Sequence, residues 1–511
     1  VIPLDVDPIC VVIGRTRHKM VQAEMQEAAR RGAHLIEVRL DFLAKAPDFK
    51  RLLADKPCPV VATVRRPAEG GRWSGTEDAR RMLLRQAIVS GFDWVDIETD
   101  VADAIPRFGA VRRIVSYHNL RETPEHLEKI HEDMCAQDAD VVKLAVRAQR
   151  PADNLRVLAL MKNAKRPTVA LAMGDLGFPT RVLAAKYGAP FTYAAFNKER
   201  GIAPGMPSLA ELLLVYHYPR IDADTQVYGV VGDPVGHSLS PLVHNHAFRA
   251  EGINAVYAPF RVPRADLPAF LKEFDRLPVR GYSVTIPHKE AAAALAVRRD
   301  DAVALTKAAN TLVRSDDGFV AYNTDYEGFL EALRARLAPA PGEGPPFSLH
   351  SRTALVLGAG GVARAVAHAL HREGMLLTVA NRTAERAHKL AEEVGCRSMD
   401  WAGRHSVPCE LVVNCTSAGM HPNVDETPLH HSFLKPGLIV FDTVYTPETT
   451  LLVKEARSRG CQVITGVDFF VRQAALQFQL FTGRPAPLDL MQKVVKKALS
   501  PVAIKADEEH S

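Results

Sequence analysis

Residues Thr353 to Thr383 read TALVLGAGGVARAVAHALHREGMLLTVANRT. The β-branched and leucine-rich run Thr353 to Leu357 suits a strand buried on both faces. A turn follows at Gly358-Ala359-Gly360-Gly361-Val362-Ala363, after which Val362, Val366, Ala369 and Leu370 recur at helical spacing. A second apolar run, Leu376 to Ala380, ends in Asn381-Arg382-Thr383. Glycines permit the tight turn and let backbone N–H groups approach a pyrophosphate at the start of the helix. Strand, turn, helix and strand in this order form a dinucleotide fingerprint, which a lone GxGxxA would not. At the end of the second strand an NAD site usually carries Asp or Glu for the ribose 2′-hydroxyl. Asn381 and Arg382 stand there instead, and a guanidinium suits a 2′-phosphate, so NADP is the expected cofactor.

Outward from this stretch the chain is long. Its 511 residues imply two to four domains, and 47% hydrophobic with 24% charged residues is ordinary for a globular protein. A net charge of +5 without a long basic block argues against nucleic acid, and arginines set singly among glycines and strand ends suit small anionic substrates. The seven cysteines form no CxxC pair, so neither a zinc site nor a disulfide framework is indicated, and a reducing cytoplasm is expected. No apolar run approaches a membrane span. Val1 opens no signal-like segment and suggests a chain trimmed at its start.

The first part of the chain alternates strand-like runs with amphipathic stretches. The runs are Ile9 to Gly14, His34 to Asp41, Val60 to Arg65, Trp94 to Thr99, Arg113 to His118, Val141 to Val146, Thr168 to Met173 and Thr192 to Phe196. Such a series predicts a (β/α)₈ barrel, with an open doubly wound sheet as the rival. Chemistry in such a barrel sits at the C-terminal strand ends, where Glu37, Arg39, Arg65, Glu98, His118 and Lys143 fall. Singly these could be a snorkelling lysine, a core histidine or a structural ion pair. Together they bring a lysine, an imidazole and a carboxylate into one crevice. A lysine of depressed pKa among cations is a Schiff-base nucleophile, and a histidine can move protons beside it.

The segments EVRLD (Glu37 to Asp41), TVR (Thr63 to Arg65), DIE (Asp96 to Glu98), SYHN (Ser116 to Asn119) and VKLAV (Val142 to Val146) resemble type I 3-dehydroquinate dehydratase. The resemblance implies an imine between Lys143 and the substrate ketone, proton transfer by His118, and Glu98 orienting the ring. It implies that Arg181 meets the substrate carboxylate, and that Glu37 and Arg65, with Arg39 beside them, grip the ring hydroxyls. The family's closing loop usually reads Ser-Ala-Pro-Gly-Gln; here it is Ile202-Ala203-Pro204-Gly205-Met206. An apolar pair cannot make those hydrogen bonds, so a weaker grip on substrate is expected.

After the polar bridge Tyr218 to Gln226, a strand from Val227 leads through Gly232-Asp233-Pro234 into Gly236-His237-Ser238-Leu239-Ser240-Pro241, a plausible carboxylate cradle opening a helix. Ser283-Val284-Thr285-Ile286-Pro287-His288-Lys289, Ala309-Asn310-Thr311 and Tyr322-Asn323-Thr324-Asp325 follow. With the glycine loop behind them, this part resembles shikimate dehydrogenase as far as about Pro487. The resemblance implies that Ser238, Ser240 and Tyr445 bind carboxylate, and that Thr285, Asn310 and Gln473 bind ring hydroxyls. Lys289 and Asp325 would be the catalytic pair, an ammonium that stabilises charge on the reacting oxygen and the carboxylate that positions it. Asn414, Thr416, Ser417 and Gly466 would complete the nicotinamide-side wall. Lys307 stands where the family usually has glycine.

The expected architecture is therefore a (β/α)₈ barrel over residues 1–221, followed by an α/β substrate domain over 226–334 and a Rossmann-type NADP domain over 350–470. C-terminal helices over 471–500 would return to the substrate domain, and residues 501–511 form a tail expected to fray from Ile504. Ala338 to Pro346, APAPGEGPP, reads as a plain solvent excursion at a domain junction. The halves follow the order of the plant fusion enzymes, implying two consecutive shikimate-pathway steps on small molecules, neither needing a metal. The alternatives are quinate oxidation by the C-terminal half, or a barrel kept as sensor or scaffold.

Overall fold

The computed structural model describes residues 6–339 and 348–500. The solvent excursion expected at Ala338 to Pro346 lies outside them from residue 340 on, as does the tail.

Eight strands in the first part are β1 (Ile9–Ile13), β2 (Leu35–Arg39), β3 (Val60–Thr63), β4 (Trp94–Glu98), β5 (Arg112–Asn119), β6 (Val141–Arg147), β7 (Thr168–Met173) and β8 (Thr192–Ala195). All pair in parallel in the order β7-β6-β5-β4-β3-β2-β1-β8. The return of β8 to the far side of β1 curls the sheet into a barrel and disposes of the open-sheet rival. Between β7 and β8 there is no strand pairing among the described residues; β8 instead makes a bridge from Ala195 to Ser208. Apolar runs such as Ile9–Ile13 are buried on both faces. One face fills the barrel with Val12, Leu35, Val61, Trp94, Ile114 and Val169, and the other packs under the surrounding helices.

The second sheet comprises β9 (Gln226–Gly232), β10 (Ala255–Arg261), β11 (Val279–Val284), β12 (Arg298–Arg299), β13 (Thr311–Ser315) and β14 (Gly318–Tyr322), in the order β10-β9-β11-β13-β14-β12. The first three run parallel, and β13 is antiparallel to both of its neighbours. The third sheet is wholly parallel: β15 (Thr353–Leu357), β16 (Leu376–Asn381), β17 (Arg397–Asp400), β18 (Leu411–Asn414), β19 (Ile439–Asp442) and β20 (Gln462–Ile464). Its order, β17-β16-β15-β18-β19-β20, reverses direction beside β15, which puts the glycine turn at the topological switch point of a Rossmann sheet.

The helix Gly466–Thr482 starts from this sheet with a capping box of Thr465 and Asp468. It then runs back to the second sheet, where Val471 and Phe478 share a core with Tyr228 and Phe248, and the Tyr228 hydroxyl donates to the Phe481 carbonyl at 3.0 Å. Barrel and second sheet meet through Arg261, which pairs with Asp175 beyond β7 and with Asp233 beyond β9. No helix among the described residues is long and apolar enough to cross a membrane.

Two candidate active sites

At the C-terminal mouth of the barrel lies a cavity of about 240 Å³ lined by Glu37, Arg65, Glu69, His118, Lys143 and Arg181, among others. Strands β2, β5 and β6 each send a side chain into this cavity, Glu37, His118 and Lys143, with Lys143 opposite Ser116 and His118 one alternation further along, opposite Ala145. Lys143 Nζ donates to Asp96 Oδ2 at 2.9 Å and Glu37 Oε2 at 3.3 Å, and lies 4.1 Å from the centroid of the Tyr193 ring. Asp96 also accepts from Arg65 Nη2 and from the Ser116 hydroxyl, each at 2.6 Å. Burial alone would raise the Asp96 carboxyl, but Arg65 and Lys143 outweigh it and hold it well below the usual carboxylate range.

Arg39, Arg65 and Arg181 line the same cavity as Lys143, as expected, but the groups bonded to its amine are the carboxylates of Asp96 and Glu37. Arg39 forms a fork with Asp41 at 2.9 and 2.8 Å, and Arg65 is taken up by Asp96 and its neighbours. Arg181 is fully buried, and none of its three guanidinium nitrogens has a hydrogen-bond partner among the described residues. Burial pulls it down to about 10. An unpaired buried guanidinium facing a cavity is a seat for a carboxylate.

A correction concerns Glu98. It does not touch His118: Arg65 Nη1 lies 2.8 Å from Oε1 and Arg80 Nη1 donates to Oε2 at 2.5 Å, so Glu98 neutralises two buried arginines beneath the site. His118 Nδ1 instead lies 3.1 Å from Oε2 of Glu69. Burial, reinforced by Arg65 and Lys143, pushes His118 well below the ordinary imidazole value, so the ring is neutral near pH 7. With Nδ1–H donated to Glu69, Nε2 is left as a base. Sequence reasoning missed Glu69. The available signal was Glu69-Gly70-Gly71 in the loop that follows a barrel strand. Gly70 has φ +80°, and a Cβ on Gly71 would lie 1.8 Å from the Arg65 carbonyl oxygen, so only glycine lets this loop fold back.

The loop Ile202 to Met206 closes the mouth by packing. Ile202, Ala203 and Met206 join the apolar cluster inside the barrel, and the Gly174 amide donates to the Pro204 carbonyl at 3.1 Å.

The other site lies between the second and third sheets. Lys289 Nζ donates to Asp325 Oδ2 at 2.6 Å, and Asn310 Nδ2 donates to Asp325 Oδ1 at 2.9 Å and to Gln473 Oε1 at 3.4 Å. The helices bearing Lys289 and Asp325 thus converge with the helix that returns from the third sheet. Ser238 Oγ accepts from the Ser240 amide at 3.2 Å, and the Tyr445 ring stacks on Phe470 at 4.7 Å. Thr285 packs so closely on Gly232 that a Cβ there would lie 2.5 Å from its methyl group.

The glycine turn abuts this cluster: a Cβ on Gly361 would lie 3.2 Å from Lys289 Cδ. Gly358 has φ +114° and backs onto the Cys415 carbonyl, whereas Gly360 has open space around it. The helix Gly361–Arg372 begins there, with Val362 and Ala363 in its first turn. Backbone donors at a helix N-terminus with open space before them fit a pyrophosphate. Asn381 Nδ2 donates to the Thr383 carbonyl at 3.0 Å, which holds the turn, and Arg382 projects beyond it without an ion-pair partner among the described residues. Asn414 does not reach the cofactor side: it is fully buried, donates to Asp442 and accepts from Thr416. It shapes the loop bearing Thr416 and the exposed Ser417, and Thr416 lines a cavity with Arg382. Gly466 lets that helix start against the Val444 carbonyl, 2.1 Å from where a Cβ would stand.

Family models for type I 3-dehydroquinase, the shikimate dehydrogenase substrate binding domain, shikimate/quinate 5-dehydrogenase and the shikimate 5′-dehydrogenase C-terminal domain match residues 9–223, 230–312, 344–427 and 466–496. A bifunctional 3-dehydroquinate dehydratase/shikimate dehydrogenase of Arabidopsis thaliana, described as chloroplastic, is 38% identical over 510 residues, covering 96% of this chain and 84% of that protein. An NADP⁺-dependent shikimate dehydrogenase of Moorella thermoacetica is 43% identical over 55% of this chain and 96% of its own length. Among solved structures, a shikimate dehydrogenase in complex with NADP⁺ superposes with TM-score 0.51 at 31% identity, covering 55% of this chain and 98% of that one. The Aquifex aeolicus enzyme does so with TM-score 0.50 at 33% identity, over 54% and 99%. The chain belongs to the family of bifunctional 3-dehydroquinate dehydratase/shikimate dehydrogenases.

Proposed function

We propose that the barrel dehydrates 3-dehydroquinate to 3-dehydroshikimate and that the C-terminal half reduces this product to shikimate with NADPH. The observation that carries the reading is one cavity holding Lys143, a neutral His118 on Glu69, and a buried Arg181 with no hydrogen-bond partner among the described residues. Arg181 pairs with the substrate carboxylate, while Glu37, Arg39 and Arg65 surround the ring hydroxyls. The Lys143 amine, once freed of its proton, adds to the ketone and water leaves, giving an iminium that acidifies the adjacent C–H. His118 Nε2 takes that proton and returns it to the departing hydroxyl, with Glu69 holding the ring and balancing the transient imidazolium. Water then hydrolyses the iminium and frees Lys143. The net change is loss of one water.

In the C-terminal half, Gly358 to Ala363 would hold the cofactor pyrophosphate, and Asn381, Arg382 and Thr383 its 2′-phosphate. Bound NADPH supplies the hydride. Ser238, Ser240 and Tyr445 receive the carboxylate, and Thr285, Asn310 and Gln473 the hydroxyls. Lys289 donates to the ketone oxygen as negative charge grows there, and Asp325 keeps the ammonium aimed.

The division into residues 1–221, 226–334 and 350–470, with 471–500 returning to the substrate domain, is part of this reading. So is a reducing compartment, the cytoplasm, which suits seven cysteines that are all free. Adding 3-dehydroquinate alone to the protein with NADPH should oxidise the cofactor. A response to 3-dehydroshikimate only would show an inactive barrel and refute the bifunctional reading.

A further inference from the structure

The cavity beside Arg382 contains a second guanidinium that the proposed reaction leaves without a task. It measures about 320 Å³ and is lined by Arg382, Trp401, Arg404, Thr416 and the exposed Glu426, among others. Arg404 comes from the 3₁₀ segment Trp401–Ser406 that follows β17. Its guanidinium carbon lies 4.3 Å from the centroid of the Trp401 ring, within cation–π range. Nε donates to the Pro428 carbonyl at 2.7 Å, and Nη1 to the Trp401 carbonyl at 2.6 Å. Trp401 is itself anchored, packing with Met399 and Val407 on the core formed by Leu355, Leu357 and Val412.

The guanidinium is thus fixed by a ring and two neutral carbonyls, with no carboxylate paired to it among the described residues. Nη2 keeps its donors for something else. A half-buried arginine oriented in this way and left without a counter-ion is placed for an anion. Arg382, on the same cavity, is exposed and likewise has no ion-pair partner among the described residues. Against them stands one solvent-facing carboxylate, Glu426, so the cavity keeps a positive excess matched to a dianionic phosphate monoester.

We propose that Arg404, held over the Trp401 ring, is the second guanidinium for the ribose 2′-phosphate and sets the NADP preference together with Arg382. This rests on the NADP reading of the same site. Sequence alone points to Arg382 only, because Arg404 is brought in by the turn after another strand.

Binding decides the matter without turnover. Calorimetry and tryptophan fluorescence on the full chain would compare adenosine 2′,5′-bisphosphate with adenosine 5′-monophosphate, which differ only in the 2′-phosphate. Arg404→Met should weaken the bisphosphate about tenfold, the value of one charge-assisted hydrogen bond, and leave the monophosphate within about twofold. Arg404→Lys, which keeps the charge without the fork, should fall between. An unchanged monophosphate affinity shows that the pocket is intact in either variant. Equal weakening of both ligands, or of neither, overturns the proposal. A wild-type protein without preference for the bisphosphate refutes the NADP reading as well, whereas a preference that survives Arg404→Met refutes only the role of Arg404.

Discussion

His118 Nδ1 stands 3.1 Å from Oε2 of Glu69, and this contact between β5 and the loop after β3 decides which way the imidazole faces. The carboxylate fixes the tautomer, and burial keeps the ring neutral, so the free nitrogen is a base over the whole neutral range.

Glu69→Ala should therefore lower kcat for dehydration by about tenfold or more, a share of the roughly 10²–10⁴ that a positioned base contributes. Glu98→Ala should act on stability instead, because it removes one of the carboxylates shared by buried Arg65 and Arg80, which keep Asp96 and Glu77, a loss of about 1–3 kcal/mol. Steady-state kinetics beside thermal denaturation separates the two. Loss of kcat in Glu98→Ala at full stability would return the orienting role to Glu98. The pH profile gives an independent check. His118 is depressed below its ordinary value of 6.5, so kcat/KM in the wild type should hold as pH falls through that value. An acid limb centred near 6.5 would show that the ring titrates freely.

Lys143 and Lys289 have distinct chemical fates. Borohydride added during turnover of 3-dehydroquinate should reduce an iminium to a stable secondary amine on Lys143, visible by peptide mass. Lys289, bonded to Asp325 at 2.6 Å, should remain unmodified. The apolar side chains of Ile202 and Met206 have no group that can hydrogen-bond a substrate, so trapping should need more substrate but still reach completion. An adduct on Lys289, or none at saturating 3-dehydroquinate, would refute the assignment.

The barrel strands were legible because parallel strands buried on both faces carry uninterrupted apolar runs, and Ile9–Ile13 or Val141–Arg147 can scarcely be read otherwise. Lys143, His118, Lys289 and Asp325 were legible for a related reason: each is a charged or titratable residue set into such a strand or at the start of a helix. Glu69 was not, because its partner lies 49 positions away and is reached only by a glycine turn folding back over Arg65. The carboxylates bonded to Lys143 were not legible either. The arginines nearby in sequence pattern are engaged by Asp96 and Asp41, and only coordinates show which charges have already found partners. Asn414 fell between the two: its place at the end of β18 was readable, but its bonds to Asp442 and Thr416 turn the side chain inward.

Asp442 should leave a signature in stability. It is fully buried at the end of β19, accepting from Asn414, the Val444 amide and the Thr450 hydroxyl. Burial raises it from 3.8 to about 6 despite those bonds. The folded form thus keeps its proton where the unfolded chain has lost it. The associated stability is complete below about 4 and is lost as pH rises through about 6, an effect on the order of 3 kcal/mol. Asp442→Asn has no such proton to lose. The Tm of the wild type minus that of Asp442→Asn should accordingly fall between about pH 4 and pH 6. A difference that is flat or rising over that window would place the carboxyl in its ordinary range.

Lys307 occupies a backbone position that glycine fits better. It caps the helix Asp301–Thr306 with φ 52°, the left-handed region, while its amide donates to the Val303 carbonyl at 2.8 Å. That position favours glycine, because a Cβ there crowds the following carbonyl at about 1–2 kcal/mol. The charge at a helix C-terminus recovers little, since the side chain is exposed and screened. Lys307→Gly should therefore stabilise the protein by about 0.5–1 kcal/mol, whereas Lys307→Ala, which keeps the Cβ and loses the charge, should be neutral or destabilising. Neither change removes a group that touches substrate or cofactor, so reduction should proceed at the wild-type kcat in both. Thermal melts of the two variants side by side test the backbone argument. If glycine stabilises no more than alanine, the left-handed turn costs nothing here, and Lys307 must be held by its side chain against the helix bearing His368, whose imidazole feels its charge.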